Sequence, residues 1–238
     1  MTDNTLQNQD NLRQRFQAVQ LRIRQAEASC RRKADSVALL AVSKTRSSDE
    51  IRALAEQGHR LFGENYLQEA LTKIAQLQDL KLSWHFIGRI QSNKTRQIAE
   101  HFDWVHSVAS LKHATRLSQQ RPAHLPPLNI CVQVNTSGEA SKDGHDPEEL
   151  VQLLPAYRDL ANLRVCGLMT IPAPVQESGD PNRPLRRLRQ LRDQLRTPDT
   201  PLETLSMGMS DDLEAAICEG ATIVRIGTAI FGPRQYNQ

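Results

Sequence analysis

Lys44 closes the apolar run Leu39-Leu-Ala-Val-Ser-Lys44, and a lysine placed there can do chemistry that one in open water cannot. At the end of a buried strand its amine stands at the rim of a core, where partial desolvation lowers the pKa and frees a nucleophilic lone pair. That suits a Schiff base; the plain alternative is a strand-end lysine reaching water. Near the other end, Leu205-Ser-Met-Gly-Met-Ser210 and Val224-Arg-Ile-Gly-Thr228 supply hydroxyls, glycines and one arginine. Ser206 and Ser210, with Gly208, follow one strand candidate; Gly227 and Thr228 follow the next and open a short helix through Ala229 and Ile230. Small residues let backbone N–H groups approach an anion, hydroxyls add donors and a helix N-terminus adds a favourable dipole. A phosphorylated ligand is the direct inference. Arg225 alternates toward an interior where an isolated guanidinium is costly without an acceptor. A pyridine nitrogen would serve, kept unprotonated by an always-charged donor and so blunted as an electron sink. A carboxylate such as Glu64 is the competing partner.

These residues need elements to position them. Leu12, Phe16, Val19, Ile23, Ala26 and Cys30 recur at steps of four and three, which predicts an amphipathic helix from Asn11 to Lys33 lying across the rest of the fold. Strand candidates follow at Val37 to Val42, Arg60 to Gly63, Ser83 to Ile87, Trp104 to Val108, Leu128 to Val134, Val165 to Met169, Thr204 to Ser206 and Thr222 to Ile226. The spacers carry helical patterns, such as Ser47-Ser-Asp-Glu50 capping groups before Ile51 and Leu54, and Asp146-Pro147 ahead of Leu150, Val151 and Leu154. Strand and helix alternating about eight times predict an α/β fold, a single TIM-type (β/α)8 barrel with an additional N-terminal helix. Residues 1–10 read as a polar tail and 11–238 as the one barrel domain, helix 11–33 included. A Gly-x-Gly-x-x-Gly turn, which would favour an open doubly wound sheet, is missing after the first strand. In a barrel, active groups stand at the C-terminal ends of strands. Lys44, Gly63-Glu-Asn-Tyr66, His85, Gln91-Ser-Asn-Lys94 and the loop from Asn135 to Gly144 all fall there.

Composition excludes several other classes. With 30 Lys and Arg against 27 Asp and Glu, the formal charge of +3 makes no case for nucleic acid or membrane as partner. The polar N-terminus and the lack of any apolar run long enough to span a bilayer predict a cytoplasmic protein. Cys30, Cys131, Cys166 and Cys218 lack paired spacings and read as small core residues, and the seven histidines offer no metal-ligand pattern. Arg183, Arg186, Arg187, Arg189, Arg192 and Arg196 oppose a stripe of Leu185, Leu188, Leu191 and Leu195, which describes a solvated outer helix better than an RNA-binding face. His85 lines the mouth or is a satisfied strand-end histidine.

From about Val37 to Pro233 the chain resembles the pyridoxal phosphate homeostasis proteins, also described as the proline synthase co-transcribed family. The resemblance is carried by Ala-Val-Ser-Lys44, Phe-Gly-Glu-Asn-Tyr66, Trp-His-Phe-Ile-Gly88, Gln-Ser-Asn-Lys94, Val-Asn-Thr-Ser-Gly-Glu-Ala-Ser-Lys142, Gly-Leu-Met169, Ser-Met-Gly-Met-Ser-Asp-Asp212 and Val-Arg-Ile-Gly-Thr-Ala-Ile-Phe-Gly232. It implies a barrel similar to the N-terminal domain of alanine racemase, with pyridoxal 5'-phosphate (PLP) on Lys44 as a Schiff base. It also implies phosphate contacts at Ser206, Gly227 and Thr228, Arg225 at the pyridine nitrogen, and Asn65 and Met169 lining the ring. The implied role is a carrier or regulator of the cofactor that affects amino-acid and keto-acid balance, not an enzyme. Its partners would be PLP and, transiently, PLP-dependent apoenzymes, with no nucleic acid and no membrane, and it would act as a monomer. Arg89, where a smaller or apolar residue is expected, and the arginine-rich stretch from Pro181 to Thr200 depart from the family pattern.

The residues speak against the alternative, a PLP-dependent racemase or lyase of low activity. A racemase needs two bases on opposite faces of the reacting carbon, and the tyrosines are Tyr66, Tyr157 and Tyr236. Tyr157 falls in a predicted helix and Tyr236 in the tail, and Tyr66 is expected to pack rather than react. Lys94 and Lys142 are further amines near the mouth, and Lys142 is placed to accept the aldehyde during release to a client.

Overall fold

The computed structural model describes residues 3–139, 142–172 and 180–233, with side chains from residue 9 onward in the first helix. Eight parallel strands close a barrel in sequence order: β1 (Ala38–Val42), β2 (Leu61–Glu64), β3 (Ser83–Phe86), β4 (Trp104–Val108), β5 (Leu128–Gln133), β6 (Leu163–Met169), β7 (Thr204–Ser206) and β8 (Ile223–Ile226). Helices α2 (Ser48–Glu56), α3 (Leu67–Gln76), α4 (Thr95–His101), α5 (Leu111–Gln120), α6 (Pro147–Arg158), α7 (Arg183–Leu195) and α8 (Leu213–Cys218) cover the outside. The short α9 (Thr228–Phe231) follows β8, and α1 (Asp3–Ser29) packs against α2, α8 and α9. The TIM-type barrel expected from the alternating pattern is the observed fold.

Local chemistry explains the boundaries. Ser47 and Glu50 form a reciprocal capping box at α2, Ser110 caps α5 through the His113 amide, and Asp146 caps α6 with Pro147 in its first turn. The first helix differs from its predicted span of 11–33. It runs from Asp3 because no breaker interrupts the polar residues ahead of Leu12, and it stops at Ser29 because the backbone turns left-handed at Arg31 (φ 54°). Residues 3–10 are thus part of the helix rather than a separate tail.

Alternation divides the barrel into two faces. Leu40, Val42, Ile87 and Ile223 form a small cluster inside it, and a larger cluster between strands and helices holds Phe62, Ile51, Leu54, Val105 and Val224. The two tightest approaches of backbone demand glycine. A Cβ on Gly167 would lie 1.8 Å from the Thr204 carbonyl oxygen, between β6 and β7, and one on Gly88 would lie 2.0 Å from that of Asn65.

The cysteines require a correction. Cys131 is buried and Cys166 half-buried, but Cys30 and Cys218 form a disulfide that joins the end of α1 to the end of α8 across 188 residues. Sequence spacing cannot reveal a pair that only the packing of α1 on α8 brings together. Among the described residues no helix is long and apolar enough to cross a membrane, and no cluster of His, Cys, Asp and Glu could hold a metal ion. The arginine-rich helix is α7: Leu185, Leu188 and Leu191 are buried, while Arg186 and Arg189 pair with Glu219 and Arg192 with Asp193. Three of its five arginines are thus answered within the chain.

Candidate functional site

Lys44 stands just beyond β1, half-buried. Val42 faces the barrel interior and Ser43 faces outward, its hydroxyl donating to Glu64 Oε1 (2.6 Å), so Lys44 falls on the interior side of the rim. The turn that carries it is held tightly. Thr45 adopts a left-handed conformation (φ 63°) that a β-branched residue resists, and its amide donates to Glu69 Oε1 (2.5 Å). Lys73 of α3, buried behind the turn, donates to the Ser43 carbonyl (2.7 Å), Glu64 Oε1 (2.8 Å) and Glu69 Oε1 (2.5 Å). Burial raises the Glu64 pKa against the opposing pull of Lys73 and Ser43. Nothing in the sequence marked this network. Its signal, legible only in hindsight, is that Glu69 and Lys73 lie four apart on one face of α3.

Arg225 projects into the barrel, as alternation predicts, and it does not pair with Glu64. Its Nη1 donates to the carbonyl oxygen (2.6 Å) and hydroxyl (2.8 Å) of Ser206, and its Nη2 to the Thr170 carbonyl (2.8 Å). All three acceptors are neutral, and no carboxylate lies within ion-pair distance among the described residues. Glu64 points the other way because it is the even-numbered neighbour of inward-facing Gly63, and Lys73 claims it. Burial lowers the Arg225 pKa to about 10, so the group is still cationic at neutral pH.

The other candidates surround the same mouth. β1 and β8 are hydrogen-bonded neighbours, with Ala41 opposite Ile226, and a Cβ on Gly227 would lie 3.2 Å from the Val42 carbonyl oxygen. The exposed Thr228 therefore opens α9 on one flank of Lys44. On the other flank β2 pairs with β1, Val42 opposite Gly63, which brings Asn65 beside Lys44. Asn65 Oδ1 is buried without a hydrogen-bond partner. Met169 is fully buried at the end of β6, in register with Ser206. Ser206 is fully buried at the end of β7, and its hydroxyl accepts from Arg225 and lies 2.7 Å from His106 Nδ1. Ser210, half-buried in the loop between β7 and α8, is the hydroxyl nearer solvent.

One reading of a single residue is overturned: Tyr66 is 53% exposed at the start of α3 and packs in no core. Of the two readings of His85 the satisfied histidine holds: it is a buried interior residue, stacked on Trp104 and hydrogen-bonded to His106. Tyr157 is buried in α6 with its hydroxyl 2.7 Å from His145 Nε2, while Tyr236, Ala140 and Ser141 lie outside the described residues. Arg89 is exposed and pairs with Asp143 (3.4 Å) of the loop that carries Lys142.

The family model described as alanine racemase, N-terminal domain, matches residues 8–235. A pyridoxal phosphate homeostasis protein from Pseudomonas aeruginosa is 60% identical over 218 residues, which make up 92% of this chain and 94% of that protein. The chain belongs to the pyridoxal phosphate homeostasis family. A solved structure of PipY from Synechococcus elongatus, with PLP bound, is 40% identical, superposes with a TM-score of 0.75 and covers 88% of this chain and all of that one. Alanine racemase from Clostridium difficile shares the fold alone: TM-score 0.74 at 14% identity, with 96% of this chain matching 58% of the racemase.

Proposed function

We propose that the chain holds pyridoxal 5'-phosphate in the C-terminal mouth of its barrel and acts in intracellular homeostasis of that cofactor, as a carrier or regulator and not as a catalyst of turnover. The observation that carries this reading is Arg225, a buried guanidinium that meets only neutral acceptors and stands below the mouth occupied by Lys44. A buried cation without an anion is costly, and a ring nitrogen at the mouth would supply an additional acceptor. The orphaned Asn65 Oδ1 fits the same ligand, because a carboxamide offers either its oxygen or its nitrogen to a ring substituent.

When bound, PLP supplies an aldehyde that condenses reversibly with amines and a ring that can take up electrons. Lys44 is the amine we assign to that aldehyde, on a turn that Lys73 and Glu69 hold in place. Gly227 and Thr228 bind the phosphate through backbone N–H groups and a hydroxyl. Ser206 contributes to that end only by giving up its present partners, so Ser210 is the better hydroxyl there. Asn65 and Met169 line the ring. Arg225 keeps the ring nitrogen unprotonated, which disfavours electron withdrawal and suits storage over catalysis. The proposal includes a monomer in the cytoplasm that meets PLP-dependent apoenzymes transiently, with Lys142 as a second amine that would exchange for Lys44 at the aldehyde, Lys44 leaving as the free amine.

The test is borohydride reduction of the cofactor-loaded protein followed by peptide mass spectrometry. A pyridoxyl adduct on the peptide holding Lys44 is expected, and its absence there defeats the assignment. Deuterium exchange at the α-carbon across a panel of amino acids separates carrier from racemase or lyase, since sustained exchange would require an enzyme. Unchanged transfer to an apoenzyme by a Lys142→Ala variant would remove the release step.

A further inference from the structure

A chain of polar side chains, buried except for the half-buried Ser83, runs through the barrel interior and ends on Arg225. Ser83 Oγ lies 3.2 Å from His85 Nε2, His85 Nδ1 lies 2.9 Å from His106 Nε2, and His106 Nδ1 lies 2.7 Å from Ser206 Oγ, which accepts from Arg225 Nη1 at 2.8 Å. Barrel interiors are usually filled by branched apolar side chains, so two imidazoles there call for a reason. Both rings are neutral: burial pushes His85 down to about 3 and holds His106 well below its ordinary value, with Arg225 and His85 adding repulsion at His106.

Donors and acceptors along this chain can be assigned from one end. Arg225 can only donate, so Ser206 Oγ accepts from it and keeps one proton to give away. His106 Nδ1 takes that proton's hydrogen bond, which places the ring proton of His106 on Nε2, facing His85 Nδ1. His85 then carries its own proton on Nε2, toward Ser83 Oγ. The reverse orientation would leave the Ser206 proton without an acceptor among the described residues. The whole chain therefore has one satisfied polarity, and Arg225 sets it.

We propose that His106, backed by His85, is a positioning residue for the ring-nitrogen end of the cofactor: it holds the Ser206 hydroxyl as an acceptor toward Arg225 and so, together with the Ser206 and Thr170 carbonyls, orients the guanidinium. This rests on the proposed PLP site and deepens it, assigning Ser206 to the ring nitrogen and not to the phosphate. In this assignment His106 acts through Ser206.

The test uses the full chain loaded with PLP, with three readouts: the absorbance maximum of the lysine-bound cofactor, its retention during dialysis, and thermal unfolding. His106→Leu removes the acceptor, and Ser206→Ala removes the link itself by deleting one oxygen. Each is expected to shift the maximum by several nanometres and to weaken retention about tenfold, the effect of losing one charge-assisted hydrogen bond. The double variant should do no worse than either alone. His106→Asn, which keeps an acceptor where Nδ1 stood, should restore both readouts to within about twofold of the parent. The inference is overturned if His106→Leu and Ser206→Ala lower the unfolding temperature while spectrum and retention match the parent. It is equally overturned if His106→Asn behaves like His106→Leu. Failure of the underlying cofactor reading looks different: the unsubstituted protein itself would then give no pyridoxyl adduct at Lys44.

Discussion

Replacing Lys73 by methionine tests the claim that a buried charge network holds the Lys44 turn. Lys73 is 5% exposed and Glu64 fully buried, so methionine would fill the space of the lysine stem but leave the Glu64 carboxylate with one neutral hydrogen bond, from Ser43, and Oε2 still without a partner. Breaking a buried pair by removing one member costs about 3–5 kcal/mol. Glu64 can escape that cost only by taking up a proton. The unfolded carboxyl titrates near 4.3, so protonating it at pH 8 costs at most about 5 kcal/mol, and at pH 5.5 about 1.6 kcal/mol. The sign follows from linkage: a carboxyl whose folded pKa is raised destabilises the protein above its unfolded pKa, and the penalty vanishes as pH falls to that value. Lys73→Met should therefore lose 3–5 kcal/mol at pH 8, about 10 °C or more in unfolding temperature for a chain of this size, and about 2 kcal/mol at pH 5.5. Urea unfolding of variant and parent at both pH values measures the difference, and comparison at equal pH cancels other titrations. Adding Glu64→Gln removes the stranded charge and should recover most of the loss at pH 8. A loss under 1 kcal/mol, or one independent of pH, would refute the reasoning.

Other consequences are equally direct. Gly167→Ala would drive a Cβ to 1.8 Å from the Thr204 carbonyl oxygen, so β6 and β7 must part; a loss of about 3 kcal/mol in urea unfolding is expected, and an unchanged midpoint would show that the strands are not so close. Reducing the Cys30–Cys218 bond opens a loop of 188 residues, which chain entropy values at roughly 5 kcal/mol at most; thiol reductant should lower the unfolding temperature of the parent and leave a Cys30→Ser variant unmoved. The buried neutral His85, held down to about 3, favours the folded state fully above about pH 6.5 and loses that contribution as pH falls, by about 2 kcal/mol at pH 5. A His85→Phe variant should therefore be less acid-sensitive than the parent in urea titrations, and equal pH slopes would count against a neutral buried ring.

How much was legible in the sequence depends on how local each signal is. Strand positions were read to within about two residues because period-two alternation and capping chemistry, as at Ser47 or Asp146, are written in neighbouring residues. Lys44, Asn65, Gly227 and Thr228 were placed at one rim because a parallel barrel gathers the C-terminal ends of its strands. The inward turn of Arg225 was legible from its parity with Ile223. Its partners were not: Ser206 and Thr170 become acceptors only when β6, β7 and β8 stand side by side.

The residue order alone therefore determined the barrel, the end at which chemistry is done and the residue types gathered there, since each follows from periodicities and caps a few residues long. Tertiary structure decided which polar groups meet. Glu64 went to Lys73 and not Arg225, Ser206 turned inward to His106, and Cys30 found Cys218, each pairing made between segments brought together by barrel closure or by the docking of a helix. A hydrogen bond is satisfied within about 3 Å, and no spacing along the chain reports that distance, either between Glu64 and Lys73, nine positions apart, or between His106 and Ser206, a hundred apart.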